Sequence, residues 1–312
     1  MTASRPRVIV VGSVNVDLIV SVPRLPVAGE TVLGDGFIQQ DGGKGGNQAV
    51  AASRAGAAVW MLAAVGQDDL GERALEGLVA AGVDVSACRR LEGEHTGLAL
   101  IVVDASGENQ IAVASGANAR LDARMIEAAT EGLDPPPGSV CLIGFEVRDE
   151  AVVAAARWSA SRGLRVILDP APARPLPPQV LAAGPILTPN ESEAEMLTGV
   201  GDAESAAAIL GQRTGAPVVI SLGSEGALLW SEGRAERLPA TPVEPVDTTG
   251  AGDALNGILA AELAGGAELR DALRWAMAGA ALKTTRAGAR AGLPTRAAIE
   301  ALMGAAAGRP GA

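Results

Sequence analysis

The chain has 312 residues, of which 48% are hydrophobic and 20% are charged, and its formal net charge is −11. A chain of this length can bury a large core, and its acidic balance argues against a nucleic-acid surface. No apolar run reaches the roughly 18–20 residues that cross a bilayer, so no membrane span is predicted. Two cysteines, Cys88 and Cys141, are too few for a disulfide framework, and the N-terminal residues carry no signal segment, so the cytoplasm is the expected location.

Strand-like runs alternate with helix-like segments along most of the chain. This alternation, without any Pro- or Ser-rich linker, predicts one α/β domain over residues 1–312 with a mostly parallel sheet between two layers of helices. The predicted strands are 8–11, 59–65, 139–143, 165–168, 185–187, 218–221 and 227–230. The predicted helices are 48–55, 70–81, 125–131, 150–161, 191–197, 203–213 and 269–285.

Short alternating apolar runs, broken by Pro and Gly, occupy residues 18–40, 95–103 and 110–114. They predict small strands that form a second sheet outside the main one.

Polar side chains follow two of the predicted strands. Asn15 and Asp17 come shortly after the strand 8–11, and Glu146 follows a strand-like run over 140–145. Open α/β sheets place their ligands at the carboxyl ends of strands, so these residues are candidate ligand contacts. By position alone, Asp17 fits turn chemistry equally well, and Glu146 fits a surface residue before a helix.

The run 42–47 (GGKGGN) precedes an Ala-rich, helix-like stretch. It is not a Walker A loop, because that spacing is absent and Lys44 is followed by Gly45. The pattern by itself favours a Gly-rich turn with a solvated Lys.

Two other motifs have ordinary structural interpretations. Asn190 and Glu193 have the spacing of a helix capping box, and the run 221–226 has the composition of a hairpin turn.

The run 247–253 (DTTGAGD) follows a strand-like, Pro-flanked segment at 241–246 and opens a long apolar helix. Small residues at a helix N-terminus leave backbone N–H groups free to bind a phosphate, with the positive end of the helix dipole behind them. The amides of Gly250, Ala251 and Gly252 are the candidate anion site. Asp253 is the candidate general base for an attacking hydroxyl. Pattern alone also fits an Asp that caps a helix beside a Gly-rich turn.

The runs 247–253 and 42–47 together resemble the signatures of the ribokinase (PfkB) family of sugar kinases. The resemblance extends over about residues 7–300, and the segments occur in the family's order. It implies a three-layer α/β/α fold with a small β-sheet lid from about residues 16–40 and 95–115. It also implies phosphorylation of the 5-hydroxyl of D-ribose by ATP with Mg²⁺, and a homodimer formed through the lid sheets.

The resemblance also implies roles for individual residues. Sugar contacts are implied for Asn15, Asp17, Gly43, Lys44, Asn47 and Glu146. Asn190 would lie near the phosphates, and Glu193 would place Mg²⁺ largely through water. The nucleotide would contact Ser221, Leu222, Gly223, Ser224, Glu225, Gly226, Gly252 and Met277. Several family members carry His or Asn where Met277 stands. A thioether can pack on a purine but cannot donate a hydrogen bond to it. The resemblance therefore implies a preference for adenine less directly than it implies phosphoryl transfer.

A monovalent cation, K⁺, is also implied by the resemblance. Asp247 and Thr249 match ligands of that ion in potassium-activated members of the family. The remaining ligands are backbone carbonyls at positions that match Lys283, Arg286, Gly288 and Gly292. The ion would hold the loop that carries the anion site.

Other functions compete with ribose phosphorylation. A kinase of the same family could act on another small sugar or nucleoside, such as 2-deoxyribose, pseudouridine or adenosine. A sugar-binding regulator without catalysis could share the fold, but the presence of Asp253, Asn190 and Glu193 argues against it. A dinucleotide-dependent dehydrogenase is disfavoured because no G-x-G-x-x-G follows the first strand.

Overall fold

A computed structural model describes residues 7–307 of the chain. Its strands are β1 (Arg7–Val11), β2 (Asn15–Val22), β3 (Gly36–Gly42), β4 (Ala58–Leu62), β5 (Ala64–Gly66), β6 (Val83–Asp84), β7 (Arg89–Leu91), β8 (Gly97–Asp104), β9 (Asn109–Ala114), β10 (Val140–Gly144), β11 (Arg165–Asp169), β12 (Ile186–Leu187), β13 (Val218–Ser221), β14 (Ala227–Ser231) and β15 (Arg234–Leu238). Its α-helices are α1 (Lys44–Arg54), α2 (Asp69–Ala80), α3 (Ala123–Thr130), α4 (Asp149–Ser161), α5 (Pro178–Leu181), α6 (Glu191–Thr198), α7 (Ala203–Thr214), α8 (Ala251–Ala264), α9 (Leu269–Thr284) and α10 (Arg296–Ala307).

The main sheet has nine strands in the order β15-β14-β13-β12-β11-β10-β1-β4-β6. The strands from β13 to β6 pair in parallel, and β14 and β15 add an antiparallel hairpin at one edge. Strand β1 is central, and its residues Val8–Val11 are completely buried. Continuous β-branched runs of this kind are typical of parallel strands that are covered on both faces.

Helices cover the two faces of this sheet. Because side chains alternate along a strand, Val8 and Val10 pack in one core with α1, α2, α8 and α9. Ile9 and Val11 pack in a second core with α3, α4, α6 and α7. The predicted three-layer α/β/α architecture with a mostly parallel sheet is therefore confirmed. No helix within residues 7–307 is long and apolar enough to cross a membrane.

A separate four-stranded sheet, in the order β3-β2-β8-β9, forms the lid. Strands β2 and β8 pair in parallel, and the two outer pairs are antiparallel. These strands come from both chain regions in which lid strands were predicted. Apolar side chains exposed on this sheet include Phe37, Leu100, Ile111 and Val113. A short parallel pair, β5 with β7, lies apart from both sheets.

Three segments differ from the sequence prediction by more than a shift of one or two residues at an end. The segment 241–246 is irregular backbone and not a strand, because Pro242 and Pro245 have no N–H to donate to a ladder. Helix α1 begins at Lys44, four residues before the predicted start, so the second half of the Gly-rich run is its first turn. The predicted strand 59–65 breaks at Ala63 into β4 and β5.

Candidate active site

The predicted site residues gather at the carboxyl edge of the main sheet, beside the lid. The strands β1, β10 and β11 end there, and the helices α1 and α8 begin there. Ser13 follows β1, Glu146 follows β10, and Asp169 is the last residue of β11. Parallel strands bring these chain-distant positions to one edge, which is where open α/β sheets bind ligands.

The N-terminus of α8 has the geometry that the predicted anion site requires. Its N-cap, Gly250, has a left-handed backbone (φ +79°), and an added Cβ there would lie 3.1 Å from the Cα of Ala289. The N–H of Ala251 donates to the carbonyl of Thr248 at 3.1 Å. The N–H groups of Gly250, Gly252 and Asp253 have no acceptor within residues 7–307, and the space beside Gly252 is open. An anion at this spot would meet free N–H donors and the helix dipole.

Asp253, in the first turn of α8, is 6% exposed and sits against α1. Its two carboxylate oxygens accept from the Asn47 side-chain amide at 2.9 Å and from the Gln48 side-chain amide at 3.3 Å. Burial raises the pKa of Asp253, and the nearby Lys44 ammonium partly opposes that rise. A fixed, partly desolvated carboxylate whose pKa is raised is what a general base requires.

Asp169 and Gln48 belong to the same cluster, and neither was identified from the sequence. The Gln48 amide donates to Asp169 at 2.6 Å as well as to Asp253, so it links the two carboxylates. Burial, opposed by Lys44, raises the pKa of Asp169 to about 7. The signal that could have revealed Asp169 is its place at the carboxyl end of a predicted strand, which is the argument that selected Glu146.

The Asp169→Asn variant should be more stable than the unchanged chain at alkaline pH. The pKa of Asp169 is about 7 in the folded protein, well above its ordinary value of 3.8, so the folded state loses stability as pH rises from about 4 to about 7. A neutral amide that keeps the Gln48 hydrogen bond would raise the free energy of unfolding at pH 8 by on the order of 2 kcal/mol.

Denaturant titrations at pH 5 and pH 8 measure this effect. The gain should be clearly smaller at pH 5, where only part of the stability loss between pH 4 and pH 7 has occurred. The exposed Asp134→Asn variant is the control and should change little at either pH. Equal stability of Asp169→Asn and the unchanged chain at pH 8 would contradict the raised pKa.

The polar groups predicted to hold the sugar lie between the lid and α1. Asn15 is buried, and its side-chain oxygen accepts from the amide of Asn118 at 2.7 Å. Asp17, on β2, has a pKa raised to about 6 by burial, which the charge of Arg290 opposes. Asn118 and Arg290 were missed in the sequence, because neither belongs to a recognisable motif.

Arg290 holds the lid against the main domain. Its guanidinium donates to the Asn47 side-chain oxygen at 3.2 Å and to the Gly42 carbonyl at 2.7 Å, and it lies 3.0 Å from an Asp41 carboxylate oxygen. Asn47 is thereby fixed from two sides, since it accepts from Arg290 and donates to Asp253. A side chain held from two sides in this way has little freedom to turn.

Glu146 and Lys44 lie on the side of the site that is formed by the N-terminus of α1. The carboxylate of Glu146 accepts from the backbone N–H of Lys44 at 3.0 Å and from the Ser13 hydroxyl. Burial disfavours the charge on Lys44, but the carboxylates of Asp253 and Asp169 outweigh it, so the pKa of Lys44 is raised. Lys44 therefore keeps its positive charge at the point where an anion would approach α8.

A cavity of about 420 Å³ adjoins the N-terminus of α8 and lies between the turn 221–226, the segment 240–248 and α9. Six of the predicted nucleotide contacts line it: Ser221, Gly223, Ser224, Gly226, Gly252 and Met277. Two do not, since Leu222 is buried and the Glu225 carboxylate lies 3.8 Å from Arg237 on the surface.

Asn190 and Glu193 form the capping box at the start of α6. The Asn190 side chain accepts from the Glu193 N–H, and the Glu193 carboxylate accepts from the Asn190 N–H, each at 2.8 Å. Asn190 also forms a bridge with Ser221, which brings it to the edge of the cavity. The two residues are therefore beside the cavity as well as capping a helix.

The loop before α8 is held by Lys283, whose side chain is completely buried. Its ammonium donates to the carbonyls of Asp247 at 2.9 Å and Arg286 at 3.3 Å, and it lies 3.7 Å from an Asp247 carboxylate oxygen. Burial lowers the pKa of Lys283, and Asp247 opposes that change. Lys283 was predicted to offer only its carbonyl to K⁺. Its side chain instead contacts two of the residues predicted to bind the ion, Asp247 and Arg286, so a bound K⁺ would meet a positive charge already in place there.

Comparison with known proteins agrees with this geometry. The sequence profile of the pfkB family carbohydrate kinases matches residues 5–296. The chain therefore belongs to the PfkB family of carbohydrate kinases, which are phosphotransferases with an alcohol acceptor.

Three similar proteins are ribokinases. The ribokinase of Bacillus subtilis is 39% identical over 294 residues, which cover 94% of this chain and 98% of that protein. The ribokinase of Haemophilus influenzae is 35% identical over 297 residues, which cover 94% and 96%. The structure of Arabidopsis thaliana ribokinase complexed with ribose and ATP superposes with a TM-score of 0.86 at 29% identity, covering 96% of this chain and 99% of that one.

Proposed function

We propose that this protein phosphorylates D-ribose at its 5-hydroxyl with ATP, giving D-ribose 5-phosphate. The observation that carries the proposal is the position of Asp253. Its buried carboxylate accepts from Asn47, and it directly follows Gly252, whose N–H is free and which lines the 420 Å³ cavity. The similar Arabidopsis protein, solved with ribose and ATP, supports the choice of both substrates.

In this reaction, Asp253 takes the proton of the attacking hydroxyl. The N–H groups of Gly250 and Gly252, with the α8 dipole, bind the phosphoryl group as negative charge shifts towards the leaving oxygen. The Ala251 N–H is engaged with Thr248 and contributes less than the sequence pattern implied. Positioning and electrostatics supply most of the catalysis in phosphoryl transfer.

The sugar is oriented by neutral amides and one carboxylate. Asp17 accepts from a vicinal pair of hydroxyls. Asn47 and the nearby Gly43 offer further hydrogen bonds to the sugar. Glu146 already accepts from the Lys44 N–H at the start of α1 and from the Ser13 hydroxyl. It therefore positions the start of α1 as well as facing the sugar. Closure of the lid would exclude water and suppress hydrolysis of ATP.

Mg²⁺ is included in the proposal, held by Glu193 through water and by the phosphate oxygens, with Asn190 nearby. Only one oxygen of the Glu193 carboxylate is engaged in the capping box, and residues 7–307 contain no cluster of three acidic or His/Cys side chains for a metal, which fits an ion held mainly by its nucleotide. The ion supplies charge neutralisation on the triphosphate. K⁺ is left out, because the Lys283 ammonium contacts two of its expected ligands, Asp247 and Arg286.

The Glu193→Gln variant should need several-fold more Mg²⁺ for half-maximal turnover, with a smaller fall in kcat at saturating Mg²⁺. The amide oxygen keeps the capping bond to the Asn190 N–H but removes the negative charge that attracts the hydrated ion. Titration of MgCl₂ at fixed ATP measures the shift. Glu195→Gln, an exposed position on the same helix, is the control. An unchanged Mg²⁺ requirement in Glu193→Gln would remove Glu193 from the metal site.

We also propose that the chain acts as a single domain in the cytoplasm and forms a homodimer through its lid sheets. The exposed apolar side chains of the lid, which include Phe37 and Ile111, support the dimer, since patches of this kind mark interaction surfaces. Sedimentation of the unchanged chain and of a Phe37→Lys variant tests the dimer. A monomer at micromolar concentration would overturn it.

The experiment that tests the function is direct measurement of ADP formation with ribose, 2-deoxyribose, fructose and adenosine. We expect the highest kcat/KM on ribose. Faster turnover on another acceptor would leave the roles of Asp253 and α8 in place and overturn the interpretation of Asp17 and Asn47. Sugar binding without any turnover would favour a non-catalytic regulator.

A further inference from the structure

The loop that carries the anion site is organised around a buried positive charge that belongs to the chain itself. The ammonium of Lys283 donates to the carbonyls of Asp247 and Arg286 and lies 3.7 Å from the Asp247 carboxylate. These oxygens belong to the set that a monovalent cation would bind at this position. The Lys283 side chain is 0% exposed, so this ammonium is shielded from solvent.

The room for this side chain comes from Gly292. A Cβ at that position would lie 3.1 Å from the Cε of Lys283, 3.1 Å from the carbonyl of Arg286 and 2.8 Å from the carbonyl of Gly288. The second of these carbonyls already accepts from the Gly292 N–H at 3.0 Å. Any larger residue would crowd both the lysine stem and the carbonyls. The two positions are therefore matched to each other, with a long side chain at 283 and none at 292.

The ammonium is connected to the anion site through Asp247. One carboxylate oxygen of Asp247 accepts from the Thr249 N–H at 2.9 Å, and the other accepts from the Gly288 N–H at 2.7 Å. The Asp247 N–H donates to the carbonyl of Thr284 at 2.9 Å. The charge of Lys283 compensates this carboxylate, three residues before Gly250, and the dipoles of two carbonyls.

We propose that the Lys283 ammonium is a built-in substitute for the monovalent cation, and that the activity of this kinase is consequently independent of K⁺. An ammonium carries the same single charge as K⁺ and offers three N–H donors to the same oxygens. Lys283 is then a positioning residue, which holds the loop 247–250 and touches neither substrate. The catalytic half of this inference rests on the proposed function, whereas the ion-binding half does not.

Two measurements on the unchanged chain test the proposal. The chloride salts of K⁺ and tetramethylammonium are exchanged at constant ionic strength, and ADP is measured by chromatography so that no coupling enzyme introduces its own cation requirement. Turnover should change by less than about twofold between the two salts at about 100 mM, and the midpoint of thermal unfolding without ribose or ATP should be equal in both. A K⁺-specific rise of either quantity would overturn the proposal.

The Lys283→Ala variant provides the converse test. It opens a cavity lined by the same oxygens, so in tetramethylammonium its turnover should fall by roughly ten- to a hundredfold, and K⁺ should restore much of it. K⁺ should also raise its unfolding temperature in the absence of substrates. Arg274→Ala, on the exposed face of the same helix, removes one positive charge and should show neither response.

These outcomes separate the inference from the proposed function. If no acceptor is phosphorylated, the unfolding measurements still report whether the chain binds K⁺. If Lys283→Ala does not fold, the salt exchange on the unchanged chain decides the question. A folded Lys283→Ala variant with full activity in tetramethylammonium would show that the ammonium does not position the loop.

Discussion

The Asp253→Asn variant should lose turnover by about 10²–10⁴-fold, the range that general-base catalysis contributes. The amide that replaces the carboxylate cannot take the proton of the sugar hydroxyl. Ribose affinity should change little, because the sugar is oriented mainly by groups on β2 and α1. The new carboxamide oxygen still accepts from Asn47, and the buried Gln48 side-chain oxygen, which has no partner among residues 7–307, can turn to accept from the new NH₂ group.

Single-turnover measurements and calorimetric ribose titrations separate these two effects. Asp271→Asn, an exposed acidic position on α9, serves as the control and should retain full rate. A wild-type rate in Asp253→Asn would end the assignment of the base. Equal loss of rate and of ribose affinity would indicate that Asp253 holds the sugar rather than activating it.

The Asp17→Asn variant should raise the KM for ribose by roughly 10- to 100-fold with a smaller effect on kcat, because hydrogen bonds to a charged group contribute about 1.5–3 kcal/mol. The carboxylate can accept from two hydroxyls, whereas the amide offers one acceptor. Removing this charge also leaves the buried guanidinium of Arg290 with less compensation, since Asp17 favours the charged form of Arg290.

The pH dependence gives this prediction a second readout. The pKa of Asp17 is raised to about 6, so the free enzyme holds a carboxylate above that pH and a neutral acid below it. Ribose affinity of the unchanged chain should therefore fall as pH drops through about 6, and that of Asp17→Asn should be flat through the same interval. Asp35→Asn, exposed at the other end of the lid sheet, is the control. An unaltered KM would place the sugar away from Asp17.

Local patterns in the sequence were sufficient for most elements of the fold. The β-branched run at Val8–Val11 is a central strand, and the Asn190–Glu193 spacing is a capping box. These features depend on neighbours in the chain, so they can be read without knowing the partners. The segment 241–246 was the exception, because its apolar and β-branched residues indicated a strand while its two prolines could not join a ladder.

Long-range contacts account for the site residues that were missed. Asp169 lies in the cluster because Gln48, 121 positions earlier, joins it to Asp253, and Arg290 contacts Asn47 across 243 positions. No periodicity or spacing connects residues so far apart. The same holds for Asn118, whose amide contacts Asn15 across 103 positions.

The sequence by itself determined the alternation of strands and helices and the glycine-rich start of α8, because both depend on short-range backbone preferences. It misplaced the start of α1 by four residues, and it offered Asp253 as the candidate base. Only the tertiary structure decided what surrounds that base and what charge holds the loop before it. The direction of a buried side chain such as Lys283 is set by the space its neighbours leave, here the missing side chain of Gly292, and by the carbonyls within reach of its ammonium. That choice depends on packing between distant parts of the chain, which is why a position expected to offer a carbonyl to an ion offers a cation of its own.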